Sequence, residues 1–191
     1  MIDKNEAMDI IRQRLSPKRL EHSIQVAAVA RKLAERYRLD HEKAYLTGLL
    51  HDYAKGIPSK DLLIIAEENQ LIESEEDRLI PDILHAPVGA CLLEKELGIE
   101  DREILKAVRL HTMGAVDMND FDKIIFLADM LEPGRDYPGM ERLNCLSMRN
   151  LDEAMQFGLD STIKYLIDQK RLLHPRTIEV RNEFLRRIGN R

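Results

Sequence analysis

The stretch LTGLLHDYAKG, residues 46–56, combines the marks of a core helix with residues that a core rejects. Leu46, Leu49, Leu50, Tyr53 and Ala54 are apolar, yet His51 and Asp52 stand side by side among them and Lys55 follows. An ionised carboxylate buried without a partner costs several kcal/mol, so Asp52 calls for a compensating cation. Adjacent helical residues project about 100° apart, which lets His51 and Asp52 converge on one ion. An imidazole beside a carboxylate suits iron, manganese, cobalt, nickel or zinc better than calcium. Lys55 lies on the same face as both. Beside a metal its ammonium is placed for a substrate phosphate; without one it is a helix-end lysine complementing the dipole. Gly48 sacrifices about 1 kcal/mol of helix propensity, which points to the close approach of another helix.

Outward from this stretch the hydrophobic period is helical nearly everywhere. Asp40 is placed to cap the helix that carries the His-Asp pair, and Gly56 to end it. Before it, Asp3 and Glu6 have capping-box spacing. Ser16-Pro17 starts a helix running to about Tyr37, with Leu20, Ile24, Ala27, Leu33 and Ala34 on its apolar side. After it, Ser59 opens a helix, and ESEEDRLIPDILHAP reads as a loop with a short helix or turn. APVGACLLEKELG is helical to Gly98, Asp101 caps REILKAVRLHT, and Asn119 or Asp120 caps FDKIIFLADMLE, which Pro133-Gly134 ends. The segment 151–173 reads as one long helix, and Pro175 begins the last. Alternating β-branched runs are absent. The pattern predicts one all-α domain, residues 1–191, of about eight to ten helices.

Composition narrows the function classes. The chain has 191 residues, 44% of them apolar, enough for one sizeable core. Its net charge of -5 disfavours non-specific binding of nucleic acid, and 5% aromatics with no Trp offers no base-stacking surface. Cys91 and Cys145 are too few for a disulfide framework or a four-cysteine zinc site. With no apolar run long enough for a membrane span and no secretory pattern, the expectation is a cytoplasmic chain.

Other ligand-type residues interrupt apolar faces in the same way. Asp129 sits inside IIFLADMLE, His22 beside the stripe of RLEHSIQVAAVA, His111 at the end of VRLHTMG, and His85 before Ala86-Pro87. His41, in LDHEK, interrupts nothing and is the ordinary surface histidine of the six.

The order His22, His51-Asp52 in LLHDYAK, Asp129 in FLADMLEP resembles the HD-domain metal-dependent phosphohydrolases. HAPVGA, HTMG, FLADMLEPGR and LLHP followed by RN are similar to the YqeK-type members. Those are symmetrical bis(5'-nucleosyl)-tetraphosphatases, which cleave diadenosine tetraphosphate into two ADP. The resemblance implies a single HD-domain helical bundle. Its HD core spans about 17–135, and the C-terminal helices, 150–188, close the nucleotide side. It implies one or two transition-metal ions, iron favoured, with His22, His51, Asp52 and Asp129 as ligands. His85 and His111 are implied as ligands of a second metal or as phosphate contacts. Arg19, Lys55 and Arg135 correspond to phosphate-contacting residues, with Lys170, Arg171 and His174 approaching the nucleotide. Asp52, Lys55 and His111 carry the catalytic roles, with hydroxide supplied at the metal. The implied ligand is a dinucleoside polyphosphate or an ADP-like nucleotide; a homodimer is one assembly open to an acidic helical enzyme, and the sequence does not fix it. The same ligand set would serve another HD nucleotide phosphatase or phosphodiesterase, or a di-iron oxygenase. A non-enzymatic nucleotide-binding helical module is the alternative of a different class.

Overall fold

Asp3 starts the first helix by accepting from the backbone N–H groups of Asn5 and Glu6, and the chain repeats this device from end to end. The computed structural model describes residues 2–189 and holds, among them, eleven α-helices, one 3-10 turn and no strand. The helices are α1 (Lys4–Arg14), α2 (Pro17–Tyr37), α3 (His41–Leu50), α4 (Ser59–Glu68), α5 (Glu75–Leu79) and α6 (His85–Leu97). They continue with α7 (Arg102–Leu110), α8 (Asp120–Leu131), α9 (Met140–Ser147), α10 (Leu151–Asp168) and α11 (Pro175–Gly189). A 3-10 turn, Pro81–Leu84, leads into α6. The segment read as a loop with a short helix or turn is therefore α5 followed by this turn.

The predicted caps hold at Ser16, Asp40, Asp101 and Asn119, each side chain accepting from the first turn of its helix. Gly98 ends α6 in the left-handed region at φ 62°. Two boundaries differ from the sequence reading. α3 stops at Leu50 rather than Gly56, and residues 51–56 form successive turns in which Tyr53, Lys55 and Ile57 donate three residues back. α10 stops at Asp168, because Lys170 takes φ 51° and turns the chain away.

The core divides into two large apolar clusters that share α2. One packs Val26, Ala30 and Leu33 against α8, α10 and α11, with Ile124, Ile125, Leu127, Leu159 and Phe184 fully buried. The other packs Ala27 and α3 against α1, α6 and α7 through Ile11, Leu49, Leu50, Leu93 and Ile104. The buried stripe of α2 is Ser23, Val26, Ala27, Ala30, Leu33 and Ala34; Ile24, expected on that side, is exposed. The His-Asp stretch thus lies where α2, α3, α6, α7 and α8 converge.

Gly48 is the contact point of α2 and α3. A Cβ there would stand 2.8 Å from Ala27 Cα and 3.1 Å from Ala27 N, and backbone cannot yield without moving a whole helix. Gly48→Ala is therefore expected to lower stability by about 1–3 kcal/mol, a fall of about 2–12 °C in Tm. At an uncrowded helical glycine the same change would stabilise by about 1 kcal/mol. The sign of the shift in a thermal melt checks the close approach.

Candidate metal centre

Three histidines reach the centre by one local device. His51 follows the last residue of α3, and its Nδ1 lies 2.6 Å from the Gly48 carbonyl. His111 follows α7, with Nδ1 2.7 Å from the Val108 carbonyl. His85 opens α6, with Nδ1 2.5 Å from the Asp82 carbonyl. Each acceptor is three residues back, where helix ends leave carbonyls without a partner. A carbonyl can only accept, so each Nδ1 carries the proton and each Nε2 presents its lone pair. His22, within α2, has the same arrangement with a carboxylate: its Nδ1 lies 3.3 Å from Glu132 Oε1.

The four Nε2 atoms converge on Asp52, whose two oxygens face different pairs. Oδ2 stands 3.6 Å from both His22 and His51 Nε2, and Oδ1 stands 3.3 Å from His85 and 3.7 Å from His111 Nε2. Asp129 Oδ1 completes the first side, 3.2 Å from His22 and 4.0 Å from His51 Nε2. Within each side the nitrogens themselves are close, 3.3 Å for His22–His51 and 3.1 Å for His85–His111. Facing lone pairs at that distance repel unless a cation lies between them. Donor atoms of His22, His51 and Asp129, and again of His51, Asp52 and His111, lie within 4.8 Å of one another. Imidazole nitrogens with carboxylate oxygens, their second nitrogens already fixed, are the donor set of a transition-metal site.

Electrostatics agree with that composition. Burial pushes His51 down to about 4 and lowers His85, so both are neutral at pH 7. Burial alone would raise the Asp52 carboxyl, but His51, His111 and His85 hold it well below the usual carboxylate range. Burial likewise opposes ionisation of Asp129, and the His22 hydrogen bond with the Arg135 guanidinium outweighs it. His22 is shifted the other way: burial opposes its charge, but the hydrogen bond and charge of Asp129 and the charge of Asp52 raise it. Two ionised carboxylates concentrate negative charge at the centre.

Three cations surround it. Arg19 donates to Asp52 Oδ2 at 3.0 Å, Arg135 pairs with Asp129 Oδ1, and Lys55 Nζ lies 3.2 Å from His85 Nδ1. Since that Nδ1–H is engaged by the Asp82 carbonyl, Lys55 is beside the ring rather than bonded to it. Its ammonium is lowered by burial. Arg19 and Arg135 also line a cavity of about 320 Å³ that opens on His22, with Lys18, Gln25 and Glu132 in its walls.

The C-terminal group lies apart from the centre. His174 is buried, its Nε2 3.2 Å from Asp77 Oδ1 and its Nδ1 accepting from the Arg176 N–H, so it ties α11 to α5. Lys170 and Arg171 are exposed on the turn after α10, and no side-chain bond joins them to the centre. His41 is partly exposed beside Glu42, with no bond to the cluster.

Residues 19–134 match the HD domain family. The chain belongs to that family. HD relatives extend over almost all of it. It is 34% identical to the symmetrical bis(5'-nucleosyl)-tetraphosphatase of Halalkalibacterium halodurans over 96% of this chain and 98% of that one. The Bacillus subtilis protein of the same name is also 34% identical, over 92% of this chain and 94% of its own. A crystal structure described as a predicted HD superfamily hydrolase involved in NAD metabolism, from Clostridium acetobutylicum, superposes with a TM-score of 0.93. It is 36% identical, covering 98% of this chain and 99% of that one. HD hydrolases are metal-dependent, and the His/Asp cluster of this chain is built to hold a metal. Glu132 is the residue of this centre that sequence reasoning passed over. An acid directly after the last residue of α8 opposes the helix dipole, a signal that it has a specific partner.

Proposed function

We propose that this HD protein hydrolyses dinucleoside tetraphosphates, cutting diadenosine tetraphosphate symmetrically into two ADP. The observation that carries the reading is Asp52, with one oxygen toward His22 and His51 and the other toward His85 and His111. Relatives bearing the name symmetrical bis(5'-nucleosyl)-tetraphosphatase support the substrate. On this reading His22, His51, Asp52 and Asp129 would hold one ion, and His85 and His111, beside Asp52, would hold a second or contact the phosphate chain. A bound transition metal supplies Lewis acidity and makes hydroxide available near neutral pH. Iron is the metal proposed, in keeping with nitrogen and oxygen donors and no thiolate. Two free thiols and no helix among the described residues long and apolar enough to cross a membrane support a cytoplasmic setting.

The remaining work falls to the cations. Arg19 and Arg135 line the open cavity and bind the phosphate chain there. They orient it with its central anhydride toward Asp52. Lys55, on the His85 side, neutralises charge that gathers on the departing phosphate. The leaving group is a phosphate of low pKa, so little general-acid help is required. His111, fixed by the Val108 carbonyl, holds its Nε2 toward the reacting centre. Burial of His51, Asp52, His85 and His111 keeps bulk water from that side.

Products formed in heavy-oxygen water test the cut. Two ADP, one of them labelled, is expected. ATP plus AMP as first products would place the cut at an outer anhydride and refute symmetrical cleavage. A substrate panel in which another nucleotide is turned over far faster would favour a different HD hydrolase activity.

Lys55→Ala and Arg135→Ala are each expected to reduce turnover without releasing metal. Protonated Lys and Arg offer no lone pair to a metal, and loss of one transition-state contact costs about 2–4 kcal/mol, roughly 30- to 1000-fold. Metal analysis and steady-state kinetics on the same preparations check both halves. Unchanged kinetics in the two variants would remove these residues from the phosphate site.

A further inference from the structure

We infer that Glu132 is a positioning residue that aims both His22 and Arg135, coupling one side of the metal centre to the phosphate cavity. The inference rests on the proposed reading of His22 as a ligand.

Of the four inward-facing imidazoles, three have Nδ1 engaged by a backbone carbonyl three residues back. His22 alone uses a side chain, Glu132, brought from the end of α8 to the first turns of α2. Nothing local in α2 could do this, because His22 lies inside the helix, where the carbonyls already accept intrahelical bonds. Without Glu132 the ring could rotate and either nitrogen could take the proton. The carboxylate selects Nε2 as the inward lone pair and increases the donor strength of the ring, as in carboxylate–histidine–metal arrangements. Glu132 is itself buried, with 6% of its surface exposed, so it is not a solvated surface acid beside the ring by chance.

The second oxygen has a different task. Glu132 Oε2 accepts the Gly134 N–H at 2.7 Å, and the Glu132 carbonyl accepts the Arg135 N–H at 3.0 Å. These bonds close the turn that carries the Arg135 guanidinium back to Asp129. The turn is fitted around the carboxylate: a Cβ on Gly134 would stand 2.9 Å from Oε2 and 3.2 Å from Oε1. One carboxylate thus takes two donors, and the two donors belong to a proposed ligand and to a proposed phosphate-binding turn.

Glu132→Gln keeps the shape but has one acceptor oxygen for the two donors, so either His22 or Gly134 loses its partner. Cobalt(II) titration of metal-free protein, followed by visible absorption and chelator competition, is the test. One equivalent of cobalt is expected to bind 10- to 100-fold more weakly than in the unaltered protein, with a changed spectrum. KM for diadenosine tetraphosphate should rise as well, because the Arg135 turn is released. Gly134→Ala, which touches no metal ligand, is expected to shift cobalt binding in the same direction by displacing the carboxylate. It supplies the answer should Glu132→Gln not fold. Cobalt affinity within twofold of the unaltered protein and an identical spectrum, in a folded Glu132→Gln protein or in Gly134→Ala, would overturn the inference while leaving the metal reading intact. Failure of the unaltered protein to bind cobalt would overturn both.

Discussion

Asp52→Asn is expected to lose its metal and its turnover together. The substitution changes almost no volume, so the packing around a residue with 2% of its surface exposed should persist. What changes is charge and polarity. One oxygen becomes an NH2 donor, and it must face either His22 and His51 or His85 and His111. There it donates to an imidazole lone pair and occupies the space meant for an ion. A single charge-bearing contact removed from a transition state costs about 2–4 kcal/mol. Here a contact shared by both sides is removed, so turnover should fall by at least about 10³-fold, or roughly 4 kcal/mol. Metal content and helical circular dichroism, measured on the same preparation, separate loss of the site from loss of the fold. His51→Ala should behave alike, because His51 Nε2 is one of the two that face the shared oxygen on its side and its full burial leaves no substitute within reach. His41→Ala is the control and should be silent, since His41 is partly exposed beside Glu42 and makes no bond to the centre. Full metal occupancy in Asp52→Asn, or turnover within tenfold of the unaltered protein, would refute the assignment.

The centre was legible because each of its members broke a local rule. A charged or titratable residue in an apolar face is visible without any knowledge of the fold, and His22, His51, Asp52, His85, His111 and Asp129 were all found that way. The structure brings all six together. Residues whose role depends on where distant helices meet are harder to read. Glu132 carries only the weak signal of an acid at a helix C-terminus, and because Pro133 already marks the end of that helix it passes as the start of a turn. His174 shows the same dependence on distant packing: the resemblance implies a nucleotide contact, and in the fold its imidazole is buried against Asp77, 97 positions earlier.

Helix ends followed the same division. Side-chain caps are local chemistry, and Asp40, Asp101 and Asn119 sit where the sequence placed them. The ends of α3 and α10 are decided otherwise. α3 gives way to turns at His51, where the imidazole reaches back to a carbonyl of its last turn, so the break belongs to the building of the centre. Gly56, the expected stop, is not in the left-handed region at all. Residues 51–56 look helical in hydrophobic period because Tyr53 and Ala54 are buried in these turns as core positions of a helix would be.

Asp152→Ala is expected to be among the most destabilising single changes away from the metal centre, and no pattern in the sequence announces it. Lys123, on α8, and Asp152, on α10, read as ordinary polar positions of two helices. In the fold their side chains are 7% and 6% exposed and meet at 2.7 Å, with the Lys123 ammonium 5.7 Å from the Phe184 ring centroid. The pair stands at the edge of the larger core cluster, where Leu151, Ala154 and Val180 are also buried. Forming such a pair yields little net stability, because both ions give up hydration. Breaking it is different. Without Asp152 the ammonium remains buried, and its other partner, Asp120, is half exposed and holds it from the solvent side at 2.9 Å. Removing one partner of a buried pair costs about 3–5 kcal/mol, a fall of about 6–20 °C in Tm for a chain of this size. Metal content should be unchanged, which separates this loss from that of Asp52→Asn. The double variant Lys123→Met/Asp152→Leu removes both charges and should recover most of the loss, since the site then asks only for apolar packing. A single-variant loss below about 1 kcal/mol would mean that water or Asp120 solvates Lys123 well enough for the pair to count as a surface one.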